Sequence, residues 1–478
     1  MAAKSRVLKA GVGYTIGNIL LHCMGIFTLP IFTRILTTSE YGQYGVFMSY
    51  SSILLTVISC ALHTSVRSAK IEFGDKIDEY TSSITRVYFL NLLILLLFSV
   101  VSPEGLCNIL GLNNYQLTLL AVYTFGTSMM NLYNTRLSLD YSVKKYIKLS
   151  ALNSIVSLLL SLALMYTVLR DNRLFGRLLG LTVAVSLVAS ISLYSLYKQA
   201  KPKRNKEYIR FGLKYSLPLI AHGVAQTLLA QFDRIMINFI VGSAEAGIYS
   251  FGGSIKNLLD VVANSLNTVW ATWFFDEMAE NHVEKVKRRA KEYTLLVLIF
   301  GISALFVAPE VVKILGARNY WDARYLAPPM VLDSYVMFIY AIVVQAEYYT
   351  KKTHYVLVGT VIAAVINVIT NYIFIKQYGY VAAAYTTLFA YVCYLVFHVI
   401  IAKRAIGFHV VSIPQHLLQG VIVIICAIAC LVLMDKLLVR WILMILFDAV
   451  ITVILLKMIS VDGDVDVKAV IHKTLHRQ

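Results

Sequence analysis

Apolar residues occur in long runs along the whole chain, separated by short polar segments rich in Lys and Arg. Each run is about 20 residues long, which matches a membrane-spanning helix and is about twice the length of a membrane β-strand. Because only helices and closed barrels satisfy their backbone hydrogen bonds in lipid, the pattern predicts an all-α polytopic membrane protein. We place fourteen spans, at residues 10–32, 42–66, 86–107, 115–137, 147–169, 175–197, 213–241, 246–275, 291–315, 327–350, 355–375, 379–402, 414–434 and 438–458.

The composition agrees with this pattern. Of the 478 residues, 58% are hydrophobic and 14% are charged, whereas soluble domains carry about 25% charged residues. The six cysteines fall mostly within apolar runs without CxxC spacing, so we interpret them as small buried hydrophobes rather than disulfides or metal ligands. Lys4, Arg6 and Lys9 lead directly into the first span, so we expect this segment to be retained rather than cleaved as a signal peptide.

The basic residues alternate between the two sides of the predicted bundle. Most of the 43 Lys and Arg residues fall at the N-terminus, in loops after even-numbered spans and in the C-terminal tail. The positive-inside rule therefore places both termini in the cytoplasm, which an even number of spans also requires. Cytoplasmic loops beside anionic lipid account for the net charge of +17 without a nucleic-acid partner.

The most basic connection is residues 198–214, KQAKPKRNKEYIRFGLK, which follows the sixth span. Its position between two groups of six spans indicates a hinge or tether between two lobes. An ordinary cytoplasmic loop is the alternative, and the composition does not separate the two.

The chain also contains signs of an internal repeat. Gly42 recurs as Gly247 at an offset of 205 residues, and Gly176 recurs as Gly379 at an offset of 203 residues. Similar offsets at both ends of a six-span unit indicate duplication, which predicts two lobes related by an axis along the membrane normal. The predicted organisation is a six-helix lobe at 1–197, a basic connector at 198–212, a six-helix lobe at 213–405, and a peripheral helix pair with a cytoplasmic tail at 406–478.

The seventh span carries charge at membrane depth, at Asp233 and Arg234. Helical spacing puts His222, Gln226 and Asp233 on one stripe and Arg234 on the neighbouring stripe. Charged groups in a span face other helices or a water-filled cavity. This helix is therefore either the wall of a substrate cavity or the holder of a buried structural pair.

Comparable polar stripes occur in spans 1, 2, 4, 8, 10 and 11, whereas spans 13 and 14 have almost none and are predicted to be peripheral. Polar side chains can simply bridge neighbouring helices, which is the preferred interpretation of a lone Asn. A hydrated central cavity explains stripes that contain Arg, Lys, His and carboxylates, because such residues avoid lipid. The candidate cavity residues are Asn18, His22, Arg34, His63, Arg67, Gln226, Arg234, Lys256, Asn264 and Asn267.

Carboxylates in the spans are candidates for binding a coupling ion, Na⁺ or H⁺. They are Asp233, Asp260, Asp333 and Glu347. Asp260 lies one helical turn from Lys256, so a static ion pair is its alternative role. Arg34 and Arg67 end the first two spans, so snorkelling to the interface is the alternative for them.

No catalytic signature occurs in the sequence, which lacks GxxxxGK[ST], HExxH and GxSxG. We therefore predict a transporter rather than an enzyme, without a resident cofactor or metal. A membrane enzyme that uses a few loop residues stays open, and its site would be sought in Gly316–Pro329.

Four stretches carry a family resemblance over about residues 5–405: LPIFTRILTTSEYGQY, FDRIMINFIVGSAEAGIYSF, GARNYWDARYLAPPMVL and NVITNYIFIKQYGYVAAAYTTLFAYV. They resemble polysaccharide flippases of the Wzx type, in the multidrug/oligosaccharidyl-lipid/polysaccharide (MOP) exporter superfamily with the MATE transporters and MurJ. The resemblance implies two six-helix lobes around a cavity that opens alternately to each side of the bacterial inner membrane. Spans 13 and 14 are not needed for that twelve-helix core.

The implied substrate is an oligosaccharide repeat unit on undecaprenyl pyrophosphate, for assembly of O-antigen, capsule or exopolysaccharide. The implied partners are membrane lipid, a polysaccharide polymerase and a chain-length regulator, with the chain itself a monomer. A MATE-like cation-coupled exporter and a membrane enzyme of polysaccharide assembly are the alternatives. Arg34, Arg67, Arg234 and Lys256 favour the flippase, because a pyrophosphate requires cationic partners.

Overall fold

The computed structural model describes Gly13, Gly17, Leu21 and residues 24–101 and 103–461. These residues form helices joined by short turns, and no strand occurs among them, as the all-α prediction requires. The helices are α1 Met24–Ile35, α2 Thr38–Ser59, α3 Val66–Phe73, α4 Ile77–Val101, α5 Pro103–Leu110, α6 Asn114–Leu139, α7 Val143–Tyr166, α8 Arg173–Gln199, α9 Lys206–Ile240, α10 Ser243–Ala279, α11 Val283–Leu315, α12 Ala327–Val343, α13 Gln345–Tyr349, α14 His354–Tyr378, α15 Val381–Ile406, α16 Ile413–Val432 and α17 Leu437–Val461.

Apart from the part of the first span that lies outside the described residues, every predicted span falls on helical segments, and spans 42–66, 86–107 and 327–350 each extend over more than one of them. In the described part of the chain, nine helical segments are long and apolar enough to cross a membrane by length and composition alone. The long helices α2, α6, α9 and α10 are less apolar because they carry polar stripes. The multi-pass helical fold is confirmed, and the number of fourteen spans stays a prediction.

The predicted span 42–66 is interrupted in the structure. After α2 ends, Cys60 and Ala61 take left-handed conformations, with φ of 45° and 50°. The side-chain amide of Asn91, on α4, donates a hydrogen bond to the carbonyl oxygen of Ile58 at 2.9 Å. A break of this kind at membrane depth requires such a partner, because lipid offers none to a freed carbonyl.

The chain forms two compact units, Met1–Ser250 and Phe251–Gln478. Helix α10 begins in the first unit and continues into the second. The sequence predicts a boundary between two lobes at 198–212, on the basis of the internal repeat. That boundary differs from the division into these two compact units and stays a prediction.

In the first unit, the two repeat glycines lie against each other. A Cβ added at Gly42 would overlap the backbone oxygen of Ser243, and one added at Gly247 would overlap the backbone oxygen of Thr38. Small residues allow such backbone contact between membrane helices. The N-terminal turns of α2 and α10 can therefore approach this closely only with glycine at both positions.

The second unit is built around a buried aromatic cluster. Trp270 and Phe274 of α10 are fully buried together with Phe306 of α11 and Phe338 of α12. The Trp270 indole donates a hydrogen bond to the backbone oxygen of Ile342 at 3.2 Å, which satisfies its polar atom. This cluster fixes α10, α11 and α12 around one core.

Helices α16 and α17 each add one face to that core, with Val423 and Cys426 of α16 and Ile451 of α17 buried in it, and their peripheral placement stays a prediction. Arg440 of α17 binds the carboxylate of Glu310 in α11, and Asp448 accepts a hydrogen bond from Ser303 at 2.6 Å. The remaining faces of both helices expose apolar side chains, among them Leu438 at 74% exposure. Exposed apolar surface of this extent suits contact with lipid.

Candidate functional site

Polar side chains of α12–α13 and α15 face each other through the second unit. Positions 333, 340 and 347 recur every seven residues, so they lie on one side of their helices. We call the whole set the polar seam: Lys256 and Asp260 of α10, Asp333, Tyr340 and Glu347 of α12–α13, and Tyr391, Tyr394 and His398 of α15. Fourteen residues of helix rise about 21 Å, so the seam extends over much of the bilayer depth.

At one end of the polar seam an ammonium group lies between two carboxylates. Lys256 Nζ is 2.8 Å from Asp333 Oδ2 and 3.8 Å from Asp260 Oδ2. Ser334 Oγ donates a hydrogen bond of 2.7 Å to Asp260 Oδ1, and the Asp333 side chain is only 5% exposed. The predicted contact between Lys256 and Asp260 is present, but Asp333 is the nearer carboxylate. Asp260, Asp333 and Lys256 therefore form one cluster of ionisable side chains within the helices.

Two tyrosines with tilted rings in contact occupy the middle of the polar seam. The ring centroids of Tyr340 and Tyr394 are 4.4 Å apart, and Tyr394 Oη donates a hydrogen bond of 2.8 Å to Tyr340 Oη. Thr360 Oγ1 lies 2.9 Å from Tyr394 Oη. These hydroxyl groups link α12, α14 and α15 by hydrogen bonds in an otherwise apolar bundle.

At the other end of the polar seam a carboxylate and an imidazole are completely buried. Glu347 Oε1 is 2.6 Å from His398 Nδ1, and neither side chain is exposed. The His398 ring packs edge-on against Tyr394, with 4.5 Å between centroids. Glu347 was a predicted ion-binding candidate, whereas sequence reasoning missed His398. The spacing of Tyr391, Tyr394 and His398 on one face of α15 was the available signal.

In the first unit, Asp233 and Arg234 have separate partners, as their roughly 100° separation on the helix requires. Asp233 is 3% exposed and accepts a hydrogen bond from Tyr249 Oη at 2.6 Å. Arg234 is half-buried and bonds the side-chain oxygen of Gln231. Its aliphatic part lies next to Gly45 of α2, the helix that faces α9.

The other predicted cations lie at the surface of the first unit. Arg34 is exposed and donates a hydrogen bond of 2.8 Å to the backbone oxygen of Pro30. Arg67 is exposed on α3, and His63 is half-buried on the 3-10 turn that precedes it. The break at Cys60 and Ala61 lies before both residues and separates them from α2, whereas the prediction assumed an unbroken second span; their role in a cavity stays a prediction.

The remaining cavity candidates are dispersed. His222 is half-buried and Gln226 is exposed on α9, while Asn264 is exposed and Asn267 half-buried on α10. Asn18 and His22 lie outside the described residues. The structure thus brings together the predicted Lys256, Asp260 and Asp333, and their role in binding substrate or ion stays a prediction.

The asparagines of span 11 bridge two helices. Asn367 Nδ2 donates a hydrogen bond of 2.9 Å to Thr387 Oγ1, and Asn371 contacts Thr386, so both connect α14 to α15. This is the bridging role that sequence reasoning preferred for a lone Asn.

Sequence reasoning also missed Arg177, a buried cation on α8. Its guanidinium lies 3.8 Å from the ring centroid of Phe32 and 5.2 Å from that of Tyr44, and it donates a hydrogen bond to Ser161 Oγ. Cation–π contacts of this kind hold a charge away from lipid. Arg177 does not belong to a polar stripe in the sequence, so no pattern identified it as a candidate.

One group of residues in the described part of the chain approaches metal-binding geometry, although none was predicted. Ligand atoms of Glu277, at the end of α10, and of Glu280 and His282, in the turn that follows, lie within 4.8 Å of one another. Glu277 is already bonded to Lys285 at 2.6 Å, and that ammonium lowers the pKa of Glu277. We therefore interpret this group as an ion-pair network at the end of the helix.

Comparison with known proteins gives consistent results. Residues 7–278 match the family of polysaccharide biosynthesis proteins. A protein of the Lsg locus of Haemophilus influenzae is 20% identical over 376 residues, which are 76% of this chain and 90% of that protein.

Solved structures share the fold. The lipid II flippase MurJ in an inward closed conformation aligns with a TM-score of 0.74 and 14% identity, over 94% of this chain and 99% of that one. An inward-facing multidrug resistance MATE transporter of the MOP superfamily aligns with a TM-score of 0.63 and 12% identity, over 82% and 98%. Identities this low show a common fold and nothing finer.

Proposed function

Because the chain belongs to the polysaccharide biosynthesis protein family, we propose that it is a flippase for an oligosaccharide linked to undecaprenyl pyrophosphate. The membrane would be the bacterial inner membrane, with both termini cytoplasmic. The fold shared with MurJ and MATE proteins supports a transporter of the MOP superfamily. Transport by alternating access and the identity of the lipid-linked oligosaccharide are the finer parts of this proposal.

Charged side chains inside apolar helices carry the proposal. Lys256 with its two carboxylates, the Glu347–His398 pair and Arg234 all lie on predicted spans. Ionisable groups at such depth are costly and mark ion or substrate pathways. Cations suit a pyrophosphate, and we infer that Arg234, with Arg34 and Arg67, attracts that headgroup. Lys256 is held by Asp333 and Asp260 instead.

The polar seam is our candidate for coupling transport to an ion gradient. One end places two carboxylates beside Lys256, and carboxylates inside membrane helices are candidates for binding Na⁺ or a proton. At the other end the buried Glu347 carboxylate lies 2.6 Å from His398, and ionisable groups buried in this way mark ion pathways. If the ion binds to the polar seam in one conformation of the transporter and leaves it in the other, ion movement is coupled to flipping.

The proposal is tested with purified protein in liposomes and a fluorescent lipid-linked oligosaccharide. We expect flipping, and we expect an imposed pH or Na⁺ gradient to accelerate it. Glu347→Gln and Asp333→Asn should lose that acceleration. Asp448→Asn is the matched control, because Asp448 is a carboxylate within α17 that lies outside the polar seam, and it should retain the wild-type response.

Two results would each contradict a different part of the proposal. Wild-type protein that does not move the lipid-linked oligosaccharide is not this flippase. Wild-type flipping that ignores both gradients rejects coupling through the polar seam while leaving the flippase intact. A cationic dye enclosed in the same liposomes tests the MATE-like exporter, which the shared fold also allows.

A further inference from the structure

The basic connector after α8 is fastened to the start of α4. The Arg86 guanidinium donates a hydrogen bond of 2.8 Å to the backbone oxygen of Pro202, and the Lys203 backbone N–H donates one of 2.9 Å to Ser83 Oγ. The Lys203 ammonium lies 2.6 Å from Glu79 Oε2. These contacts hold this part of the connector against α4. They are present whether the connector acts as a hinge between lobes or as an ordinary loop.

The connector, α4 and α9 line an open groove of about 840 Å³, a cavity with both apolar and basic residues in its walls. Val87 and Leu90 of α4 and Leu213 and Leu217 of α9 provide apolar walls. Six basic residues line it: Arg86, Lys203, Arg204, Lys206, Arg210 and Lys214. Among the described residues, only Lys203 of these six has a carboxylate within ion-pair distance.

The second unit contains a cavity of the same kind at the repeat-related place. The offset of 205 residues takes Arg86, which lines the first cavity, to Lys291. Lys291 and Lys403 line a cavity of about 910 Å³ between the start of α11, the end of α15 and the start of α16, together with apolar residues such as Phe408. In the described part of the chain, neither lysine forms an ion pair. The combination of apolar wall and uncompensated cations therefore occurs twice.

His409 lines this second cavity beside Lys403. Burial, and after it the neighbouring Lys403, lowers the pKa of His409. Its Nδ1 is shielded from solvent and makes no hydrogen bond to any described residue. An anion in the cavity would offset the potential that Lys291 and Lys403 create there.

We propose that both cavities bind the phosphate headgroup of an anionic phospholipid, with its acyl chains against the apolar walls. A free phosphate or a nucleic acid would use the cations but leave the apolar walls exposed, whereas an amphiphile uses both. Basic pockets between membrane helices at the cytoplasmic surface suit such headgroups. Both cavities involve loops after even-numbered spans, predicted to be cytoplasmic, and the proposal does not depend on the substrate of the transporter.

The test counts bound lipids and measures their affinity on the full chain in detergent, by native mass spectrometry and by thermal unfolding with added lipid. Phosphatidylglycerol should bind and raise the unfolding temperature, and phosphatidylcholine should not. Replacement of Arg204, Lys206 and Arg210 by Gln should weaken binding at the first cavity by roughly 100-fold, since each basic residue contributes about a factor of five. Lys291→Gln with Lys403→Gln should weaken the second cavity by roughly 25-fold on the same basis.

Lys144→Gln with Lys145→Gln is the matched control, because these lysines are exposed on α7 and line neither cavity. The control should bind phosphatidylglycerol like the wild type, and all variants should elute as folded monodisperse protein. Equal binding by wild type and both cavity variants would overturn the proposal. So would equal stabilisation by phosphatidylcholine, or by inorganic phosphate alone, which would indicate a phosphate site without a lipid.

Discussion

Glu347 and His398 are ionisable residues whose side chains have no contact with solvent. Both side chains are fully buried and bonded to each other at 2.6 Å, between the rings of Tyr340 and Tyr394 and the backbone of α14. The attraction of a buried pair barely offsets the cost of removing its groups from water, but loss of one partner leaves an uncompensated group. The pair therefore contributes little stability as a pair and costs much when it is broken.

His398→Ala should accordingly lower the free energy of unfolding by about 3–5 kcal/mol, because the Glu347 carboxylate is left buried alone. Glu347→Met combined with His398→Leu removes both polar groups with apolar residues of similar volume, and it should recover most of that loss. Denaturant unfolding in mixed micelles measures both values. A single variant as stable as the wild type would mean that Glu347 is neutral or reaches water in the folded protein.

At the scale of elements, polar and small residues decide how these helices meet. The helix break at Cys60 is accommodated by Asn91, and the contact of α2 with α10 depends on Gly42 and Gly247. Apolar packing alone does not distinguish helix–helix from helix–lipid contact, so small residues and hydrogen bonds define the interfaces in a membrane protein.

Gly42→Ala and Gly247→Ala should each destabilise the protein by about 1–3 kcal/mol, because the new methyl group has to displace backbone rather than a mobile side chain. Gly301→Ala is the matched control within helix α11: a Cβ added there would meet no atom of a neighbouring helix within 4 Å, and alanine is the better helix former. Thermal unfolding in detergent should show a lower midpoint for the first two variants and an unchanged or higher one for the third. Equal midpoints for all three would reject the close contact.

At the scale of the whole molecule, helix order and charge together predict the orientation in the membrane. The two basic cavities use the loops after spans 6, 8 and 12, which are even-numbered. The positive-inside rule makes that side cytoplasmic.

Reporter fusions test the orientation. Fusions after Arg210 and at the C-terminus should be active only as cytoplasmic reporters, and a fusion after Asn114 should be active only outside the cytoplasm. Reporter pairs of opposite compartment preference at each site provide the control. The reversed pattern would contradict the orientation, and a mixed pattern would contradict the number of spans.

Local features of the sequence were enough to predict the helices. The apolar runs, polar stripes and basic loops are each local patterns within a short stretch of chain. They can therefore be recognised from the sequence without knowledge of the tertiary structure. The same reading identified Asp333, Glu347, Lys256 and Asp260 as unusual, because charge in an apolar run is conspicuous wherever it falls. It also predicts that α16 and α17 are peripheral, since they lack polar stripes.

Only the tertiary structure decided which of these residues are neighbours. Lys256 lies nearer to Asp333 on another helix than to Asp260 one turn away, and His398 became a partner of Glu347 although their positions are far apart in the chain. The break after α2 likewise depends on Asn91, a residue of a different helix. Contacts between helices depend on packing across the bundle, which periodicity within a single helix does not contain.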